Sequence, residues 1–545
     1  MLKAYKSDVL LCLADLSNDE VFTPPTIANR MLDLLPQEIW GNPNIKILDP
    51  AAKSGVFLRE AAKRMLNAQV PDFQKNLDEM EERKKEGKAL TNKQLQFQEK
   101  LQDKINHIFI NQLFALPITE LTALLTRRSV YCSKDAMNEH SVVQGFDDTQ
   151  GNMRFFADIH HQWENGKCKS CGASAKTLDR EDGKEQHAYA FIHYEQLLQK
   201  WSEIQDMHFD VIIGNPPYQL SDGGAQASAK PIYHLFVEQA KKLNPDYLVM
   251  ITPARFFTGG KGLDEYRENF IHDKRIAVLH DFANSKEIFS GVDIKGGVCY
   301  FLRDNVRPEG ECEIHRHNID GENISHRYLC EDGDNIFIRE SQLVSIKRKV
   351  QALGEPTMDL IASPLKPYGL RGDAIKSREK YGLPEMSDTP IENGFRLIGL
   401  DEKQKRIWKY LPKNYPFKHT EALHKYKIFI TRNYGCGEIG EVPATPVLAT
   451  PVLATPEELC TETFIELGAF DTYEELENCY SYFKTKLFRA LVGVKKQDQG
   501  ASRDVYQFVP QQDFSKSWTD KELYAKYGLD NEEIAFIEKM VREME

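Results

Sequence analysis

The stretch ILDPAAKSGVFL (47–58) decides the fold. It sets a β-prone run, an acidic residue, a small-residue turn and an apolar helix start in one short order. That order is the first βα turn of a doubly wound α/β domain, where a nucleotide-like ligand meets backbone amides at a helix start. Asp49 offers a carboxylate to a ligand ammonium or ribose, and Ala51, Ser54 and Gly55 let backbone and ligand approach closely. Upstream, VFTPPTIANRMLDLL (21–35) reads as a stiff Pro-Pro turn capping a helix, with Phe22 and Thr23 at its start.

Outward from this turn the pattern keeps alternating. A helix is predicted over 58–66, a charged helical segment over 71–104, a strand over 105–114 and a helix over 118–131. After a polar insertion (about 132–188) come strands at 209–213, 247–252, 276–282 and 296–302, with a helix at 232–243. Such alternation predicts a mostly parallel sheet with helices on both faces, reaching to about residue 305. The first residues contain a short apolar stretch, Val9 to Ala14, that reads as a helix and not as a signal peptide.

The strand at 209–213 ends in an unusual way. In FDVIIGNPPYQ (209–219), Gly214 stops the run and two consecutive prolines stiffen the turn after it. Asn215 and Pro216 then present carbonyl oxygens from a rigid turn at a strand's carboxyl end, and Tyr218 adds an aromatic face.

Composition narrows the class. The chain has 545 residues, 41% apolar and 28% charged, enough for two or three domains. No run approaches the ~18 apolar residues of a membrane span. Ten cysteines in so long a chain form no disulfide framework, which points to a reducing, cytoplasmic setting. The net charge of −12 excludes a general nucleic-acid coat, but a local footprint is present. Residues 403–432 carry nine Lys/Arg against one Glu, hence +8, interleaved with aromatics. Lys403, Lys405, Arg406, Lys409, Lys425, Lys427 and Arg432 are the phosphate-contact candidates there; a solvated basic face over ordinary core aromatics is the competing reading. Further on, ATPVLATPVLATP (444–456) is a tandem five-residue repeat, read as an extended surface loop, and NEEIAFIEKMVREM (531–544) as a terminal amphipathic helix. Within the insertion, Cys168-Lys-Ser-Cys171-Gly resembles a zinc knuckle, with His161 and His187 as the nearest partners for a closed structural site. A reduced, metal-free turn is the competing reading.

The order FTPP, DPAAxSGxF, NPPY resembles the N6-adenine DNA methyltransferases, in particular the Eco57I-like restriction-modification methylases. The resemblance covers roughly residues 18–305 by motif and continues more loosely beyond. It implies a class I adenosylmethionine-dependent methyltransferase domain at 1–305, a C-terminal α+β target-recognition region at 306–500 and a helical segment at 501–545. Position by position it implies a cofactor site of Phe22, Thr23, Pro24, Asp49, Ala51, Ser54, Gly55 and Phe57. Two departures stand out: Lys53 replaces a family glycine, and Gln112 is placed where a ribose-gripping acid is usual; Glu195 is placed as the adenine contact. The catalytic set is Asn215, Pro216, Pro217 and Tyr218, with Phe301 as a second base-stacking ring against a competing role in core packing. The implied activity is methyl transfer from S-adenosylmethionine to a flipped adenine in double-stranded DNA, beside a separate restriction endonuclease. Methylation of RNA or of protein glutamine, or a catalytically weak specificity subunit, are the alternatives. A Pro71-Asp72…Glu82-x-Lys84 nuclease pattern is set aside, because its residues lie in a run without strand character.

Overall fold

The β-prone runs become adjacent strands in one sheet. β1 (Ile47–Ala52), β2 (Leu113–Pro117), β5 (Val211–Gly214) and β6 (Tyr247–Pro253) run parallel, in the spatial order β6-β5-β1-β2. Every residue of β1, β2 and β5 is buried, as a sheet covered on both faces requires. β8 (Val298–Asp304) pairs antiparallel with both β6 and β7 (Ile276–Phe282). β9 (Cys312–Asn318) and β10 (Gly321–Arg327) then extend the edge to eight strands. A two-stranded hairpin, β3 (Trp163–Glu164) and β4 (Lys167–Cys168), lies in the insertion. This computed structural model describes residues 21–178, 188–220, 230–258, 262–292, 294, 296–318, 321–331, 334–403, 405–432, 451–496 and 502–544. The predicted first helix, His187, residues 221–229 and repeat residues 444–450 lie outside them.

The sheet is an α/β, mostly parallel one, and four sequence expectations change in the fold. The run 105–114 is not a strand: it closes the helix Asn92–Asn111, and the strand begins at Leu113. Leu101, Ile105, Ile108 and Phe109 recur at helical spacing, and a Thr91–Gln94 capping box starts the helix. The first compact unit runs to Asn335, past the expected boundary at 305, because β9 and β10 belong to the same sheet. Residues 501–545 are no separate segment, since Val505, Tyr506, Leu523 and Ile537 share one core with Leu476, Phe483 and Phe488.

The second unit, Ile336–Glu545, contains two three-stranded sheets. One joins β11 (Gly394–Leu400), β12 (Arg406–Pro412) and β15 (Glu458–Cys460); the other joins β13 (Tyr426–Thr431), β14 (Val452–Ala454) and β16 (Phe464–Phe470). β14 lies within one copy of the five-residue repeat, so part of that copy is a paired strand with Ala454 fully buried, not a free loop. Among the described residues no helix is long and apolar enough to cross a membrane.

The turn into β8 depends on glycine. Gly297 has φ +83°, and a Cβ there would lie 2.1 Å from the Phe282 carbonyl oxygen. Gly297→Ala is therefore expected to destabilise the first unit by more than about 1 kcal/mol, read as a lower urea midpoint at unchanged slope.

Candidate active site

β1 has β2 on one side and β5 on the other, so the chain's path reverses at this point of the sheet. Ligands of open α/β sheets bind outside the carboxyl ends of strands at such a reversal. β1 and β5 pair only through Ile47–Val211 and Leu48–Ile212, and beyond that pairing come Asp49 on one strand and Gly214-Asn215 on the other. The two are close: a Cβ on Gly214 would meet Asp49 Oδ1 at 3.0 Å. Glycine at 214 thus leaves room for the close approach of the Asp49 carboxylate.

Asn215 is 3% exposed, and its amide orientation is fixed. Nδ2 donates to the Val21 carbonyl at 3.0 Å and to Thr23 Oγ1 at 3.0 Å, which uses both of its protons. Oδ1 is buried with no hydrogen-bond partner among the described residues. A buried acceptor without a donor costs about 1–3 kcal/mol unless something arrives to donate. Pro216 and Pro217 are buried beside it, and the Tyr218 hydroxyl is a second buried polar atom without a partner there. Burial raises the Tyr218 phenol far above its ordinary range, so it stays neutral. Its ring meets Tyr233 edge-on at 6.4 Å.

Lys53, the departure from the family glycine, enters this same network. Its Nζ donates to the Val21 carbonyl at 2.9 Å, so Lys53 and Asn215 share one acceptor, and it lies 6.0 Å from the Tyr218 ring centroid. Asp49 is buried, and its Oδ1 accepts the Ala51 N–H at 3.1 Å. Burial pushes the Asp49 carboxyl up to about 7, with the Ala51 N–H and the Lys53 charge pulling the other way. Gly55 caps the helix Val56–Gln69 with φ +72°, and a Cβ there would lie 3.0 Å from Val130 and 3.1 Å from Thr126. Phe22, Thr23, Ala51, Ser54 and Phe57 are buried around this turn, Phe57 within the hydrophobic core. Pro24 precedes the helix Pro25–Leu32, and its carbonyl accepts from Ile27 and Ala28.

Other expected residues lie elsewhere. Gln112 sits before β2, at the amino edge of the sheet, because the strand starts one residue later. Its side chain is fully buried and donates to the Asn42 and Ile45 carbonyls at 2.9 and 3.1 Å, bracing the approach to β1 and not a ribose. Glu195 is exposed on the helix Tyr194–Lys200. Phe301 is fully buried and packs edge-on against Phe270 at 4.9 Å, so it fills core and offers no face to a base. Lys427 is fully buried, and its Nζ donates to the Ala422, Leu423 and Lys425 carbonyls at 2.9–3.2 Å, which removes it from any phosphate surface. Lys409 and Lys425 are ion-paired with Asp388 and Asp471, which reduces the local positive balance. Lys403, Lys405 and Arg406 are exposed; Arg406 donates to Thr431, and Arg432 is half-buried. Glu82 and Lys84 lie on the helix Phe73–Lys85, which is not the β-hairpin of a nuclease site.

The insertion brings together His161, Cys168, Cys171 and His193, whose ligand atoms all lie within 4.8 Å of one another. His193 lies beyond the insertion's expected end at 188, so the sequence alone directed attention to His187, which is outside the described residues.

Residues 111–289 match the family model described as Eco57I restriction-modification methylase. An uncharacterised adenine-specific methylase of Mycoplasma pneumoniae is 34% identical over 331 residues, covering 56% of this chain and 71% of that protein. The chain belongs to the Eco57I-type adenine-specific methylases. Among solved structures it is similar to the Type IIL restriction-modification enzyme MmeI in complex with DNA, with TM-score 0.48, 12% identity and coverage of 96% of this chain and 73% of that one. It is also similar to a nuclease-deletion mutant of the Type ISP enzyme LlaGI with a DNA substrate mimic (TM-score 0.45, 13% identity), covering 89% of this chain but only 45% of that one.

In this methylase the shared Val21 carbonyl joins Lys53 to Asn215. Lys53→Met, which keeps length and removes the donor, is expected to slow methyl transfer roughly tenfold, or about 1.4 kcal/mol, while Lys53→Arg retains most of it. Unchanged turnover in Lys53→Met would show that Val21 and Thr23 orient Asn215 unaided.

Proposed function

We propose that this chain methylates N6 of adenine in duplex DNA, with S-adenosylmethionine as the methyl donor, as the modification component beside a separate restriction endonuclease. The observation that carries the reading is the Asn215 amide: both protons are spent, and the buried oxygen is left to accept. The exocyclic amine of adenine is a poor nucleophile because its lone pair is delocalised into the ring. Asn215 Oδ1 and the Pro216 carbonyl would accept its two N–H bonds, drawing the nitrogen towards tetrahedral geometry and freeing the lone pair. The two prolines hold that carbonyl without reorganisation, and Tyr218 supplies a face for a base taken out of the duplex at a cost of a few kcal/mol. No base of tuned pKa is required, since the extra proton can pass to solvent after the new N–C bond forms.

The donor site fits the same crevice. S-adenosylmethionine supplies an electrophilic sulfonium methyl when bound. Asp49 would hold its ammonium, Thr23 and Pro24 would shape the pocket for its carboxylate, and Phe22 would cover the methionine end. Ala51, Ser54 and Gly55 present backbone at the start of the helix Val56–Gln69. The exposed Lys403, Lys405 and Arg406 are the phosphate contacts we favour in the second unit.

Transfer of labelled methyl to mixed-sequence duplex DNA, with nucleoside analysis, tests the reading. N6-methyladenine is expected, and Asn215→Ala is expected to lose at least about a hundredfold in rate. Label in RNA or protein instead, or none in any of them, would overturn it. Donor affinity carries a pH signature of its own. Asp49 titrates at about 7 in the free protein. A bound ammonium favours the ionised carboxylate, so the bound-state value is lower. Affinity is therefore full above about pH 7 and falls as pH drops through that value, whereas Asp49→Asn is weak and flat across this range. Isothermal titration at several pH values measures it.

A further inference from the structure

We propose that His161, Cys168, Cys171 and His193 bind one zinc ion, and that this ion fastens the insertion to the helix leading into the catalytic strand. None of the four ligands is among the residues of the methyl-transfer crevice.

The four side chains come from two places. His161 lies just before β3, Cys168 ends β4 and Cys171 lies in the turn after it, while His193 precedes the helix Tyr194–Lys200. All four are buried. Cys168 Sγ lies 3.4 Å from His193 Nε2, and Cys171 Sγ lies 3.4 Å from His161 Nδ1. Tetrahedral zinc, with Zn–S near 2.3 Å and Zn–N near 2.0–2.1 Å, requires S···N edges of about 3.6 Å. The cluster therefore already has the dimensions of the coordination shell.

Two further features point the same way. The turn after Cys168 is closed by Gly172 N–H to the Cys168 carbonyl at 2.9 Å and Cys168 N–H to the Ala173 carbonyl at 2.8 Å, with Gly172 at φ +66°. Glycine takes that backbone most readily, and the two thiols lie within 4.8 Å of each other. His193 Nδ1 bonds the Tyr189 carbonyl at 2.9 Å, which makes Nδ1 the protonated nitrogen and leaves the Nε2 lone pair for a metal. With four protein ligands no position stays open, so the role is structural and not catalytic.

The insertion's need for such a staple arises from its composition. β3 and β4 are two residues each, too short to bury a core of their own. The segment that His193 anchors, by contrast, touches the methylase fold. Tyr189 and Phe191 pack on Phe236 at 5.6 and 5.9 Å, and Trp201 packs near Phe114 of β2 at 6.3 Å. Phe236 belongs to the helix Tyr233–Lys242, whose Tyr233 meets Tyr218. The ion thus braces the wall behind the base-stacking tyrosine.

The test is metal content of the full chain after zinc loading and gel filtration, with cobalt as a spectroscopic substitute. About one zinc per chain is expected, with a cobalt spectrum showing tetrahedral d–d bands and thiolate charge transfer. Cys168→Ser should lose the ion and melt at lower temperature. Should that variant fail to fold, His193→Cys supplies a positive test: it should keep the metal and gain charge-transfer intensity from a third thiolate. His187→Ala should keep both metal and spectrum. Absence of stoichiometric zinc from the loaded wild type would overturn the proposal. So would loss of metal in His187→Ala, or a cobalt spectrum unchanged in His193→Cys.

Discussion

The site depends on one orientation, that of the Asn215 amide. An amide can present either its oxygen or its nitrogen to a pocket, and the two ends differ little in shape. Here the choice is made by Val21 and Thr23, which accept both protons of Nδ2 and so turn the oxygen the other way. Those two residues lie almost two hundred positions earlier in the chain. They can reach Asn215 only because β1 and β5 are neighbours and the FTPP turn closes over their carboxyl ends. The doubly wound sheet is therefore what makes the chemistry of a four-residue turn available.

Much of this was legible in the sequence, for specific physical reasons. Strands buried on both faces read as unbroken apolar runs, so β5, β6, β7 and β8 could be placed to within about two residues. Asn-Pro-Pro-Tyr after such a run has few meanings, and its neighbourhood with Asp49 is a consequence of the topology. What escaped were contacts between residues far apart in the chain. Lys53 looked like a flaw in a small-residue loop, yet its long stem carries an ammonium to the Val21 carbonyl. Nothing local announces that partner.

The misplacements share a cause as well. Ile108 and Phe109 are apolar because one helix face is buried, and an apolar run of that length does not distinguish helix from strand. Reading it as strand carried Gln112 to the wrong end of the sheet. Phe301 rests on the resemblance of its strand to a family strand, and Lys427 on its place within a basic stretch; neither shows which way a side chain points. Both strands are buried on their two faces, residues 298–302 in one and 427–430 in the other, so neither side chain reaches the surface. His193 lies past the apparent end of the insertion, so a window drawn on composition excluded it.

The strand built from the Pro-Val-Leu-Ala-Thr repeat has a consequence for how this gene tolerates copying errors. Residues 446–450 and 451–455 are identical, and the second copy supplies β14. Loss of one copy removes fifteen nucleotides, keeps the reading frame, and leaves the same five residues directly before Pro456. Gain of a copy does likewise. A change in copy number therefore alters the length of the connection from β13 in steps of five residues while the strand that pairs with Lys427–Phe429 keeps its sequence. The repeat makes the second unit adjustable at one place without altering its sheet.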